Sequence, residues 1–272
     1  MNTPDRYAVI GNPVEHSKSP EIHTYFAVQA GQNIVYERLL APLDGFVDSV
    51  QSFVRDGGRG VNVTVPFKLQ AHAFATVLTE RAQAAGAVNT LKFDGDIILG
   101  DNTDGVGLVV DIIRNAGRVL TGKRILLIGA GGAARGVVLP LLEQAPAELV
   151  VINRTISKAV ELAYRFADKG CIVAGDAKAL QRSFDIIINA TSSSLVEEMP
   201  PLDSAVFAES SLAYDMMYAK EPTVFLRFAS ERGATIRDGL GMLVEQAAES
   251  FFVWRGVRVN TMPILASLRG KM

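Results

Sequence analysis

The chain has 272 residues, 49% hydrophobic and 21% charged, which is enough for one large globular domain or two modest ones with a real core. Its 27 basic and 29 acidic residues give a net charge of -2 without any basic block, so nucleic acid is not expected as a partner. Met1 to Arg6 lack the apolar centre of a signal peptide, and no run reaches the roughly 20 apolar residues of a membrane span, so a cytoplasmic address is expected.

Apolar runs of strand length alternate with segments of helical period, the pattern of an α/β protein with largely parallel sheets. The first third offers strands over Tyr7–Ile10, Val35–Leu40 and Gly60–Val65. Helices are predicted over Pro20–Ala30, with Ser19 as its cap, and over Gly45–Arg55. Pro66 is expected to open another helix, and a short one is predicted near Thr79–Ala85. Strands over Ala87–Phe93 and Ile97–Gly100 then flank Asp94-Gly95, a dipeptide favoured in tight hairpin turns. Asp101-Asn102-Thr103-Asp104-Gly105 has its oxygens too closely spaced for a calcium loop and lacks a closing Glu.

Asp104–Asn115 reads as a connecting helix, and a domain boundary is placed near Asp104. Beyond it come strands at Arg124–Ile128, Leu149–Ile152, Ile172–Val173, Asp185–Asn189, Leu212–Asp215 and Ala234–Arg237, six in all as a dinucleotide-binding sheet has. Pro140 is expected to kink the helix after the first of these. The single cysteine, Cys171, reads as a small buried hydrophobe, and His16, His23 and His72 are not at metal-ligand spacing. The final long helix, Met242–Trp254, is expected to return to the first domain. The predicted architecture is an N-terminal α/β substrate domain with a mixed, mainly parallel sheet (residues 1–104 and 241–272) plus a Rossmann-like domain over 105–240.

The strand Arg124–Ile128 runs straight into Gly129-Ala130-Gly131-Gly132-Ala133-Ala134-Arg135 and a helix, the context in which a glycine turn holds a dinucleotide pyrophosphate at a helix N-terminus. Ala134 takes the third glycine position, where only close packing is needed. About 20 residues on, where an NAD enzyme carries an acid for the ribose 2′-hydroxyl, the chain reads Asn153-Arg154-Thr155 with Lys158 following. A guanidinium and a second cation there suit a 2′-phosphate, so NADP(H) is the expected cofactor.

Polar loops follow several strands: Gly11-Asn12-Pro13-Val14-Glu15-His16-Ser17-Lys18-Ser19-Pro20, Asn62-Val63-Thr64-Val65-Pro66-Phe67-Lys68, Gly86-Ala87-Val88-Asn89-Thr90 and Gly100-Asp101-Asn102-Thr103-Asp104-Gly105. Together with the glycine turn, the Asn153-Arg154-Thr155 and Asn189-Ala190-Thr191-Ser192-Ser193 segments, Tyr214-Asp215-Met216-Met217-Tyr218, and the run from Asp238 to Ala247, these loops resemble the shikimate dehydrogenase family over nearly the whole chain.

The resemblance implies reduction of 3-dehydroshikimate to shikimate with NADPH. It further implies that Ser17, Ser19 and Tyr218 bind the substrate carboxylate and that Thr64, Asn89, Asp104 and Gln246 contact the ring hydroxyls. Lys68 matches the family's catalytic lysine, with Asp104 as its partner, and Met216 and Gly239 match residues near the nicotinamide. An ammonium can protonate the developing alkoxide; the reverse reaction needs the same amine as a base and is expected to favour alkaline pH. One departure is Ser194, where the family commonly has glycine. Taken singly, Lys68 reads as a solvated helix-start lysine and Asp104 as a helix cap. A quinate or dual quinate/shikimate dehydrogenase and a non-catalytic nucleotide-sensing module are the competing readings, and both monomer and homodimer remain open.

Overall fold

Residues 3–191, 193, 198–200 and 202–272 are described by the computed structural model, so Ser194 lies outside the described residues. The chain divides into two units, Met1–Gly107 with Val244–Leu268, and Leu108–Leu243 with Arg269–Met272.

Unit 1 holds six strands: β1 (Asp5–Gly11), β2 (Ile34–Leu40), β3 (Gly58–Val63), β4 (Val77–Leu78), β5 (Thr90–Asp94) and β6 (Ile97–Asp101). Their order is β2-β1-β3-β5-β6-β4. β1 pairs in parallel with β2 and β3, β4 in parallel with β6, and β5 is antiparallel to both its neighbours. Because side chains alternate along a strand, β1 feeds two cores. Ala8 and Ile10 pack with Phe46, Phe53, Phe67 and Leu91 on one face; Tyr7 and Val9 pack with Tyr36 and Trp254 on the other. Each fully buried large side chain contributes about 1.5–3 kcal/mol, and here both faces of the sheet are covered. Four helices belong to this unit's N-terminal part, α1 (Ser19–Ala30), α2 (Phe46–Arg55), α3 (Lys68–Phe74) and α4 (Glu80–Ala85), and α5 (Asp104–Val110) follows β6.

Three local expectations change. Lys18 occupies the cap position with helical backbone and no side-chain cap, so Ser19 is the first helical residue, and its amide donates to Ser17 Oγ at 3.3 Å. Residues 64–67 form a turn closed by Phe67 N–H donating to the Thr64 carbonyl at 3.0 Å, which delays α3 to Lys68 rather than Pro66. The hairpin register pairs Asp94 with Ile97, so the two-residue loop is Gly95-Asp96. Gly95 has φ +58, the left-handed conformation that favours glycine at the first loop position. Strand β4 has no periodic signal in the sequence because it is two residues long.

Unit 2 holds β7 (Arg124–Ile128), β8 (Glu148–Ile152), β9 (Ile172–Ala174), β10 (Ile186–Asn189), β11 (Leu212–Asp215) and β12 (Thr235–Arg237) in the order β12-β11-β10-β7-β8-β9, every pairing parallel. This is the doubly wound order, and its strand sequence reverses between β7 and β10, where such sheets open a crevice. Helices α6 (Gly132–Leu142), α7 (Ile156–Arg165) and α8 (Val224–Ser230) connect the strands, with Pro140 in the last turn of α6. α9 (Leu240–Arg255) leaves unit 2 and belongs to unit 1 from Val244; α10 (Met262–Gly270) follows.

The connecting segment is not one regular helix. After Val110 the chain makes a π turn over Asp111–Asn115, in which Ala116 N–H donates to the Asp111 carbonyl at 2.9 Å. Cys171 is exposed, contrary to expectation. It precedes the edge strand β9, and only its carbonyl joins the sheet, accepting from Leu149 N–H at 2.9 Å. Among the described residues no helix is long and apolar enough to cross a membrane.

His23 is fully buried in unit 1, stacked on Tyr36 with centroids 4.3 Å apart, and neither ring nitrogen has a hydrogen-bond partner. Burial pushes its pKa down to about 3, so the folded protein holds a neutral imidazole. The unfolded chain, at about 6.5, binds the proton first. The stabilisation is therefore complete above roughly pH 6.5 and is lost as pH falls toward 3, by at most about 1.4 kcal/mol per pH unit. Thermal melts of the wild type and His23→Phe between pH 4.5 and 7.5 are expected to show a stability difference that shifts in favour of the variant as acid is added; a constant difference would contradict this.

Candidate active site

The loops after β3, before β5 and after β6 converge in unit 1. Lys68, the first residue of α3, donates from Nζ to Asp104 Oδ2 at 2.6 Å. The lysine side chain is 33% exposed and the aspartate 13%, so the pair is partly open to solvent. Asn89 donates from Nδ2 to Asp104 Oδ1 at 2.8 Å and to Gln246 Oε1, on α9, at 3.2 Å. Lys68, Asn89, Asp104 and Gln246, far apart in sequence, thus form one hydrogen-bonded group.

A second carboxylate anchors the loop that carries Asp104. Asp101 is buried and accepts from Arg81 Nε at 2.7 Å, Arg81 Nη2 at 2.6 Å and Thr79 Oγ1 at 2.6 Å. Burial alone would raise the Asp101 pKa, but the hydrogen bonds and charge of Arg81 outweigh it and hold the carboxyl below its usual range. Arg81 also reaches Glu249 at 3.1 Å, which ties the loop to α9. Arg81 does not stand out in the sequence and Asp101 does so only as part of a polar run, because their pairing is made by the fold.

Ser17 and Ser19 lie at the start of α1, Ser19 buried and Ser17 half-buried, and the Ser17 carbonyl accepts from Arg38 at 2.7 Å. Thr64 is half-buried at the end of β3. Tyr218 is carried by unit 2, after β11. Burial, then the neighbouring Asp238 charge, raises its phenol above the ordinary value, so it is a hydroxyl donor at neutral pH.

In unit 2 the chain leaves β7 through Gly129, whose φ of +112 requires glycine, and enters α6 at Gly132 with no side chain capping the helix. A Cβ on Gly131 or Gly132 would meet nothing within 4 Å, so the amides of this turn, with Ala130 and Ala133, border open space at a helix N-terminus. Beside it is a cavity of about 470 Å³ lined by Ile128, Ile152, Asn153, Arg154, Ile156, Asp176, Ala177 and Lys178. Its isoleucines offer apolar surface, and its charged lining is Arg154 and Lys178 against Asp176, two cations to one acid. Asn153 donates to the Thr155 carbonyl at 2.9 Å, and Arg154, Thr155 and Lys158 are exposed. Lys178 and Asp176 join this wall from the loop after β9, which carries no local sequence signal of the role.

Met216, buried at the end of β11, is positioned by Asp215, which accepts from Met217 N–H at 3.0 Å and Thr223 Oγ1 at 2.7 Å. Gly239 packs directly on this backbone: its amide donates to the Met217 carbonyl at 3.0 Å, and a Cβ there would collide with the Met216 carbonyl. Asp111, wholly buried in the π turn, accepts from Arg237 at 2.7 and 2.5 Å and from Tyr214 at 2.7 Å, and so fixes β11 and β12 below the Met216 and Gly239 segments.

A strand-turn-helix anion site in a doubly wound unit, and a lysine–carboxylate pair among polar loops in the other, define a dinucleotide-dependent oxidoreductase. Family models for the shikimate dehydrogenase substrate binding domain, shikimate/quinate 5-dehydrogenase and the shikimate 5'-dehydrogenase C-terminal domain match residues 9–91, 111–198 and 239–269. A shikimate dehydrogenase (NADP(+)) of Janthinobacterium sp. (strain Marseille) is 63% identical over 268 residues, covering 98% of both chains. Among solved structures, an Ael1 enzyme from Pseudomonas putida aligns with TM-score 0.92 at 47% identity, over 97% of this chain and 98% of that one. A shikimate 5-dehydrogenase from Thermus thermophilus, in complex with NADP(H) and shikimate, aligns with TM-score 0.88 at 32% identity, over 98% and 100%. The chain belongs to the shikimate dehydrogenase family.

Because a β-carbon at position 239 has no room beside the Met216 carbonyl, Gly239→Ala is expected to lower unfolding stability by about 1–3 kcal/mol. Chemical denaturation of the variant checks this, and an unchanged midpoint would show that the loop yields without cost.

Proposed function

We infer that the protein catalyses the reversible, NADPH-dependent reduction of 3-dehydroshikimate to shikimate, a step of aromatic amino-acid biosynthesis. The observation that carries this reading is the Lys68–Asp104 pair at 2.6 Å, joined by Asn89 and Gln246, in a chain 63% identical to a shikimate dehydrogenase (NADP(+)). NADPH, when bound, supplies the hydride that reduces the ketone. Gly129, Ala130, Gly131, Gly132 and Ala133 would hold its pyrophosphate, Asn153, Arg154, Thr155 and Lys158 its 2′-phosphate, and Met216 and Gly239 would lie toward the nicotinamide.

An ammonium has three N–H donors, and Asp104 engages one of those on Lys68. The others are free to meet the substrate oxygen and to protonate it as negative charge develops. Asp104 orients the amine, while Asn89, Thr64 and Gln246 read the ring hydroxyls. A ring lacking those hydroxyls leaves buried polar groups unpaired, which is the basis of rejection. Ser17, Ser19 and Tyr218 provide neutral hydroxyls for the substrate carboxylate. A soluble cofactor and a small polar substrate suit a cytoplasmic enzyme.

The deciding assay follows NADPH oxidation with 3-dehydroshikimate, then reduction of NADP+ and NAD+ with shikimate and with quinate. Turnover is expected with the first pair and with NADP+ and shikimate; activity confined to NAD+ and quinate, or none, overturns the reading. Lys68→Ala is expected to lower kcat by roughly 10²–10⁴-fold with little change in the KM for NADP+. Arg154→Ala removes a charge-assisted contact and is expected to raise the KM for NADP+ about tenfold or more while leaving that for NAD+ nearly unchanged.

A further inference from the structure

Beneath the Asn89–Asp104–Gln246 layer of unit 1 lies Ser250, one turn beyond Gln246 on α9 and fully buried. Its Oγ stands 2.8 Å from Thr90 Oγ1, 2.9 Å from Asn62 Nδ2, 3.0 Å from the Gln246 carbonyl and 3.1 Å from Thr103 Oγ1. A hydroxyl donates one proton and accepts two, so the sense of each contact is set by its neighbours.

Tyr36 O–H donates to Asn62 Oδ1 at 2.8 Å, and burial keeps that phenol protonated by raising its pKa well above the usual value. The Asn62 amide is thereby turned so that Nδ2 faces Ser250, which accepts. At the other end, Asn89 Oδ1 accepts from Thr103 N–H and from Thr90 Oγ1, both at 2.9 Å. Thr90 Oγ1 thus donates to Asn89 and accepts from Asn62 Nδ2 at 3.2 Å, while the Ser250 hydroxyl donates to the Gln246 carbonyl and lies against Thr90 Oγ1 at 2.8 Å. Donation runs in one sense from Tyr36 through Asn62, Thr90 and Asn89 to Asp104, the carboxylate that holds Lys68, with Ser250 accepting from Asn62 and seated against Thr90 beside this path. Aligned hydrogen bonds in a dry interior polarise one another and fix the orientation of every member.

We propose that Ser250 and Asn62 are positioning residues for the reductase reaction, acting through Thr90 to hold the Asn89 amide with its N–H groups toward Asp104 and Gln246. The inference rests on the reading of Lys68 and Asp104 given above. Neither Ser250 nor Asn62 needs to touch the substrate; their effect is on the step that the Lys68–Asp104 pair serves, and cofactor binding is untouched.

The test uses the full-length protein with Ser250→Ala and Ser250→Cys, the second filling the same space with a poor hydrogen-bonding group. Both are expected to reduce kcat about tenfold, with the KM for NADP+ within twofold of wild type and a cooperative melt. Ser250→Thr keeps the hydroxyl and is expected to recover at least half of the turnover. Should the alanine variant not fold, the cysteine and threonine variants decide. A Ser250→Cys kcat equal to wild type means that the hydroxyl only fills space and overturns the proposal, as does a kcat loss accompanied by an equal rise in the KM for NADP+. An inactive wild type defeats the functional reading itself. An active wild type with an inactive Lys68→Ala and a normal Ser250→Ala defeats only this inference.

Discussion

A charged amine 2.6 Å from a carboxylate, both at the edge of a buried polar layer, is the interaction around which unit 1 is arranged. Such a pair cannot be placed among apolar groups without further partners, because each remaining lone pair or proton would be stripped of water. Asn89 satisfies the second oxygen of Asp104, Thr103 and Thr90 satisfy Asn89, and Gln246 and Ser250 arrive on α9 to complete the layer. The excursion of the chain through unit 2 and its return at Val244 is therefore required chemically as well as for packing, since without α9 those polar groups have no cover.

Unit 2 solves a different problem, keeping bare backbone open at a helix N-terminus. Gly129 supplies a left-handed turn and Gly131 and Gly132 leave the approach open. The opposite loops are stiffened by buried acids, Asp215 behind Met216 and Asp111 behind β11 and β12. Asp111 also explains Gly241, where a β-carbon would strike its carboxylate. The π turn at 111–115 places that acid, as such local widenings of a helix often do near working parts of a protein.

Much of the fold is legible in the sequence because parallel strands buried on both faces are short continuous apolar runs. Arg124–Ile128 and Leu212–Asp215 are found with the same ends in sequence and structure, and other elements differ by a few residues where turns close early or late. The glycine turn is legible for the same reason, since its strand and helix flank it directly. What is illegible depends on distant partners. The serine roles at α1 change because Lys18 is already helical; Cys171 is exposed because β9 is an edge; β4 and the π turn have no period to read. Arg81 with Asp101, Arg237 with Asp111, and Asn62 with Ser250 are each joined across stretches of chain that no local pattern spans.

Cys171 is the sole thiol among 272 residues, and it is open to solvent beside an edge strand of the nucleotide-binding unit. A maleimide dye added to the unmodified protein therefore attaches at one position, without mutagenesis. Spectroscopy on this natural handle gives a reporter confined to one half of the molecule, suited to following that half alone.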